Sequence, residues 1–183
     1  GESPPRSRNS TPNRPGDDQK NRRFVRSVIS GWQGAVSMCG IAGIIHSEAG
    51  SEVSMSELVA MRDIMSYRGP DDAGAFVSQG AGLASRRLAV LDLSENGHMP
   101  MSSECQRYTI VHNGEIYNFQ ELRKELEAEG VRFHSHTDTE VLLEMFRRSG
   151  PSMLDRLNGM FAFAIWDNQE RELFLARDRL GVK

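Results

Sequence analysis

The chain has 183 residues with 22 basic and 25 acidic side chains, a net charge of −3, which points to neither nucleic acid nor an anionic membrane as partner. No apolar stretch approaches the roughly 18 residues that a membrane-spanning helix needs, and two cysteines make no disulfide framework, which fits a reducing cytoplasm. The length is enough for one domain with a sizeable core.

Charge is unevenly placed: residues 1–37 carry seven Lys/Arg against three Asp/Glu, while residues 38–183 carry 15 against 22. The first segment also holds four of the seven prolines and much Ser, Asn and Arg. Such a composition buries too little apolar surface to offset its ordering entropy, so residues 1–37 are expected to be a disordered extension. It reads either as upstream sequence translated ahead of a true start at Met38 or as a pro-segment whose removal exposes Cys39. Asp17, Asp18 and the prolines argue against a transit peptide, which is amphipathic and poor in acids. A chain that begins at Gly1 and stops at Lys183, directly after a strand-like run, is expected to be a fragment at both ends.

Met38-Cys39-Gly40-Ile41-Ala42-Gly43 then places a cysteine at the head of a strand predicted over Gly40–His46. A cysteine in such a run is ordinarily a small hydrophobe. If Met38 is removed, however, Cys39 carries a thiol and a free α-amine on one residue, a nucleophile with its own base. Their ordinary pKa values, about 8.5 and about 7.7–8.0, are close enough for balanced proton exchange near neutral pH. A nitrogen held in a peptide bond has no such basicity.

Ser54 and Glu57 form a candidate capping box for a helix with Leu58, Met61 and Met65 on one face. Tyr67-Arg68-Gly69-Pro70-Asp71 breaks it. Strands are predicted around Ala75–Val77, Arg87–Leu91 and Tyr108–His112, the last closed by an Asn113-Gly114 turn. Asn118 is the expected cap of a helix carrying Leu122 and Leu126 and ended by Gly130. Asp138 is the expected cap of another, carrying Leu142, Met145 and Phe146 and ended by Gly150-Pro151. Phe161–Trp166 and Leu173–Ala176 read as a strand pair turned at residues 167–170. Trp32 and Trp166 are assigned to tail and core. Strands with helices inserted between them suggest two sheets covered by helices, an α+β arrangement.

Three further runs have chemical readings beside plain ones. Asn113-Gly114 is a turn signal, yet an Asn amide and the next N–H together suit an oxyanion site, where one donor stabilises a transition state by about 3–4 kcal/mol. Arg86-Arg87 is ordinary surface charge, unless one guanidinium turns inward to clamp a carboxylate. Asp138 serves fully as a cap, but a carboxylate facing a pocket also binds an ammonium. An Arg and an Asp would thus hold the two charges of an α-amino acid. His134, His136 and Cys105 lack zinc spacing, and no metal site is expected.

Jointly, Cys39-Gly40-Ile41-Ala42-Gly43, Arg68-Gly69-Pro70-Asp71, Arg86-Arg87-Leu88, Asn113-Gly114-Glu115-Ile116-Tyr117-Asn118, Asp138-Thr139-Glu140, Asn158–Ala164 and Ala176–Gly181 resemble the class II glutamine amidotransferases. The match runs from Met38 to Lys183. Within the class, Arg68-Gly69-Pro70-Asp71 is similar to the asparagine synthase (glutamine-hydrolysing) branch.

The resemblance implies a four-layer αββα sandwich of the N-terminal-nucleophile hydrolase type, truncated at its C-terminus, over residues 38–183. It implies Cys39 as nucleophile and Asn113 with Gly114 as oxyanion hole. Arg87 would bind the glutamine carboxylate, with Leu88, Ala89, Val90 and Leu91 lining the site. Glu115 and Asp138 would complete it, Asp138 on the ammonium, and Arg68 would be a structural ion-pair residue nearby. Ser85 departs from the family, which often has His there.

The implied reaction is hydrolysis of L-glutamine to glutamate and ammonia, with no cofactor in this part. The ammonia would pass to a C-terminal synthetase domain using ATP and Mg²⁺ to make asparagine, AMP and diphosphate from aspartate. This sequence has no phosphate-binding Gly motif for that step. A related amidotransferase with another acceptor, or a capped, non-catalytic glutamine-binding domain, are the alternatives. The oligomeric state is open, a homodimer included.

Overall fold

The computed structural model describes residues 38–47, 51–90, 92 and 94–183. The expected extension over residues 1–37, Trp32 within it, and Leu91 lie outside the described residues. Two antiparallel sheets are present. The first has the order β1-β3-β2, from β1 (Gly40–Ile45), β2 (Asp72–Ser78) and β3 (Ala81–Arg87). The second has the order β4-β5-β6-β7, from β4 (Met101–Ser102), β5 (Tyr108–Ile116), β6 (Gly159–Asp167) and β7 (Glu172–Arg177).

Alternation along the strands sets the layers. Ala81 and Leu83 of β3 meet Val111 of β5 and Ala164 and Trp166 of β6, closing sheet on sheet. Ala84, one position out of phase, joins Ile44, Val53 and Leu58 against α1 (Met55–Asp63). On the second sheet Ile110, Phe161, Phe163 and Ile165 point the other way, onto α2 (Phe119–Ala128) and α3 (Asp138–Ser149). The order of layers is therefore α1, sheet, sheet, α2 with α3: the expected four-layer αββα sandwich. Phe163 is 1% exposed, and burying such a side chain stabilises by about 1.5–3 kcal/mol.

The local expectations fared unevenly. Ser54 caps α1, its Oγ accepting from Glu57 N at 3.3 Å, although Met65 lies beyond the helix end. Asn118 does not cap α2 through its side chain. It reaches across instead, Oδ1 accepting from Asn158 N and Nδ2 donating to the Arg156 carbonyl. The cap of α3 is Thr137, not Asp138: its Oγ1 accepts from Glu140 N at 3.2 Å, which leaves the Asp138 carboxylate for other work. The strand expected at Arg87–Leu91 lies earlier and ends at Arg87. Asn113-Gly114 is not a turn; β5 runs straight through it, pairing Asn113 with Ala162 and Gly114 with Phe161. A Cβ at position 114 would overlap the Met160 carbonyl oxygen, so only glycine permits this close approach of β6.

The segment after β7 is fixed by one carboxylate. Asp178 accepts from Val182 N on Oδ1 at 2.9 Å, and from Lys183 N at 3.0 Å and Phe161 N at 3.2 Å on Oδ2. Its own N–H returns to the Phe161 carbonyl at 2.8 Å. Burial pushes Asp178 up, but these backbone donors bring it below the ordinary carboxylate range.

Candidate functional site

One cavity of about 220 Å³ collects Cys39, Arg87, Leu88, Val90, Asn113, Gly114, Glu115 and Asp138. Residues drawn from four separate stretches of the chain thus meet in one cavity. Ala89 lines a neighbouring cavity, its N–H donated to Asp71 Oδ2 at 2.9 Å.

Cys39 lies just ahead of β1, half-buried, with its sulfur against the backbone that leaves β3. Leu88 N points at Sγ from 3.4 Å, and the Leu88 carbonyl lies 3.7 Å away. Arg68 donates from Nε to the Cys39 carbonyl at 3.3 Å, so it steadies the backbone at Cys39. Burial pushes the Cys39 thiol up; the Leu88 contact and Arg87 pull it down, and Asp138 adds to the rise. The net shift is upward, so the thiol holds its proton at neutral pH.

Gly114 owes its chemistry to strand pairing. Its partner Phe161 has both backbone groups committed to Asp178. In an antiparallel ladder a residue's N–H and C=O face the same side. Gly114 and Phe161 therefore form a pair without hydrogen bonds, and the Gly114 N–H is turned away from β6. Two residues on, Ile116 N faces the same edge and donates to Asp138 Oδ2 at 2.9 Å. That bond brings the carboxylate to the edge where the Gly114 N–H emerges. Asn113 is 6% exposed, and its Oδ1 has no partner among the described residues.

Arg87 is buried and borders both cavities. Its Nη2 donates to the Asp92 carbonyl, and Gly97 lies flat on the guanidinium, where any Cβ would collide with it. The Asp92 carboxylate accepts from Ser94 Oγ at 2.6 Å and Ser94 N at 2.9 Å on one oxygen, and from His136 N at 2.9 Å on the other. The Ser94 hydroxyl and these N–H groups hold Asp92 at about 2. Since the ordinary value is about 3.9, this contribution is complete above pH ~4 and is lost as pH falls through ~2. Thermal unfolding of Asp92→Asn, followed from pH 4 to pH 2, should fall less steeply than that of the parent. An unchanged slope would remove Asp92 from the support of Arg87.

Glu140 does the same for the loop ahead of α3, accepting from His134 N at 2.9 Å, Ser135 N at 2.7 Å and Ser135 Oγ at 2.6 Å. Asp138 is thus presented by a loop fixed at both ends. Sequence reading missed His112, Thr137, Thr139, Met99 and Met160, which also border the cavity. His112 is 2% exposed, with Nδ1 3.1 Å from Thr139 Oγ1 and 3.8 Å from Asp138 Oδ1. Burial pushes its pKa down, partly opposed by Asp138, so the ring is neutral. The available signal was a histidine directly after the apolar pair Ile110-Val111 of that strand.

A model of the glutamine amidotransferase domain matches residues 38–183. The chain belongs to the glutamine amidotransferase domain family. This amidotransferase domain is 41% and 43% identical, over 148 residues each, to asparagine synthetases [glutamine-hydrolyzing] 1 and 3 of Bacillus subtilis (strain 168). Both matches cover 80% of this chain and 23% and 24% of the relative. Asparagine synthetase B of Escherichia coli (strain K12) is 34% identical over 145 residues, 79% of this chain and 26% of that protein. The amidotransferase domain spans about a quarter of the length of these relatives.

Proposed function

We propose that this domain hydrolyses glutamine to glutamate and ammonia, with Cys39 as nucleophile once its α-amine is free. The observation that carries the reading is the single cavity shared by a thiol, an inward guanidinium, a buried carboxylate and an N–H directed off its strand ladder. Arg87 takes the α-carboxylate of glutamine and Asp138 its ammonium, which directs the side-chain amide toward Cys39.

The thiol proton passes to the α-amine as Sγ bonds to the amide carbon. Negative charge on the amide oxygen meets the Gly114 N–H and the Asn113 side-chain NH₂. The tetrahedral intermediate expels ammonia, which takes the proton held by the α-amine. Water, deprotonated by the same amine, then attacks the thioester, and glutamate leaves with the sulfur restored. Leu88, Val90 and Glu115 complete the walls, and Arg68 holds the Cys39 carbonyl.

In a longer protein the ammonia would serve a synthetase part that makes asparagine from aspartate. That step follows from the names of the relatives, and ATP and Mg²⁺ would act there. The described residues contain no group of three His, Cys, Asp or Glu placed to hold a metal ion. Among them both cysteines are free, and no helix is long and apolar enough to cross a membrane.

The test is the chain's first residue. Protein beginning at Cys39 should release ammonia from glutamine, and protein retaining residues 1–38 should release none. Mass spectrometry of the N-terminus beside an ammonia assay checks both. Full turnover by the uncut protein would overturn the proposal; so would silence from the cut one, which would favour a capped, glutamine-binding role.

A further inference from the structure

We propose that Lys183 is a positioning cation for the N-terminal residue, keeping the α-amine released at Cys39 uncharged and ready to accept a proton. The inference rests on the glutaminase reading above and concerns a residue to which that reading gives no part.

The geometry is specific. Lys183 is 7% exposed, and its Nζ lies 2.8 Å from Met38 Sδ. No acidic side chain among the described residues stands within ion-pair reach of Nζ. Asp178, the nearby carboxylate, is occupied by the backbone N–H groups of Phe161, Val182 and Lys183. A buried ammonium directed at a thioether is a poor arrangement for stability. It makes sense if Met38 is temporary. The cation thus touches the side chain of the very residue whose departure turns the Cys39 nitrogen into an amine.

Like charges then decide the amine's state. An ammonium beside Lys183 is disfavoured, so the α-amine loses its proton more readily, as a lysine does beside another cationic group. Other charged groups also surround Cys39. Arg68, at the Cys39 carbonyl, acts in the same sense. Arg87, Asp138 and Glu115 lie across the cavity, and His112 is neutral. Burial and Arg68 draw Lys183 down, while Cys39 and Asp178 push it up. Arg177 shares the inter-sheet cavity with Lys183 and adds positive charge.

The experiment compares Lys183→Met and Lys183→Arg in the full-length protein processed to Cys39. Two readouts are taken: the pH profile of kcat/KM for glutamine, and the titration of the α-amine by ¹⁵N NMR with labelled cysteine. In Lys183→Met the acid limb and the NMR midpoint should both move up by about one pH unit. Activity near pH 7 then falls about tenfold and recovers in alkali. Lys183→Arg, which keeps the charge, should leave both near the parent values. An unmoved NMR midpoint in Lys183→Met would overturn the inference, as would an arginine variant that behaves like the methionine one. The NMR readout needs no turnover, so a parent protein that releases no ammonia sinks the glutaminase reading separately.

Discussion

Cys39→Ala is expected to abolish release of ammonia from glutamine, by roughly 10⁴-fold or more, while leaving the fold intact. The α-amine survives this change, as do the proposed oxyanion donors and both proposed substrate anchors. Only the atom that bonds to the amide carbon is gone, so loss should appear in kcat with little change in glutamine binding. Stability should move by less than about 1 kcal/mol, because the sulfur makes only long contacts with Leu88. Ammonia assays, thermal unfolding and glutamine titration together check this. Retained turnover would take the thiol out of the reaction.

Asn113→Ala should lower kcat by roughly 10²–10³ and leave stability unchanged or slightly raised. The first half follows from the loss of one donor to the oxyanion. The second follows from burial: Oδ1 is enclosed and has no partner among the described residues, so the side chain carries an unmet desolvation penalty. Truncation removes that penalty along with the amide. A purely structural Asn113 would show the opposite pattern, with the unfolding midpoint falling and kcat holding. The pairing of Asn113 with Ala162 is a backbone matter and survives the change.

The layers of the fold were legible because their cause is periodic. Alternation along β6 and the helical spacing of Leu122, Leu126, Leu142 and Met145 assign faces without knowledge of the partner element. Cys39, Arg87, Asn113, Gly114 and Asp138 were legible as members of an ordered motif series, and the structure brings them to one cavity. The local rules failed where a distant strand or side chain outweighs them. Asn113-Gly114 has turn chemistry, but nine residues of pairing with β6 hold it extended. Asp138 and Asn118 have capping chemistry, but Ile116 N and Asn158 N claim their oxygens. The work of Asp92, Asp178 and Glu140 depends on backbone groups up to 44 residues away, which no window along the chain contains.

Asp178 has one consequence of a mechanical kind. A single carboxylate ties residues 182 and 183 to Phe161, and Phe161 faces Gly114 across one strand pairing. A shift of residues 182 and 183 would pass through Asp178 and Phe161 to the backbone of Gly114, the proposed oxyanion donor. A displacement of about 1 Å there costs on the order of 100-fold in rate. Under the proposed reaction, the rate of amide cleavage is thereby tied to the posture of residues 182 and 183.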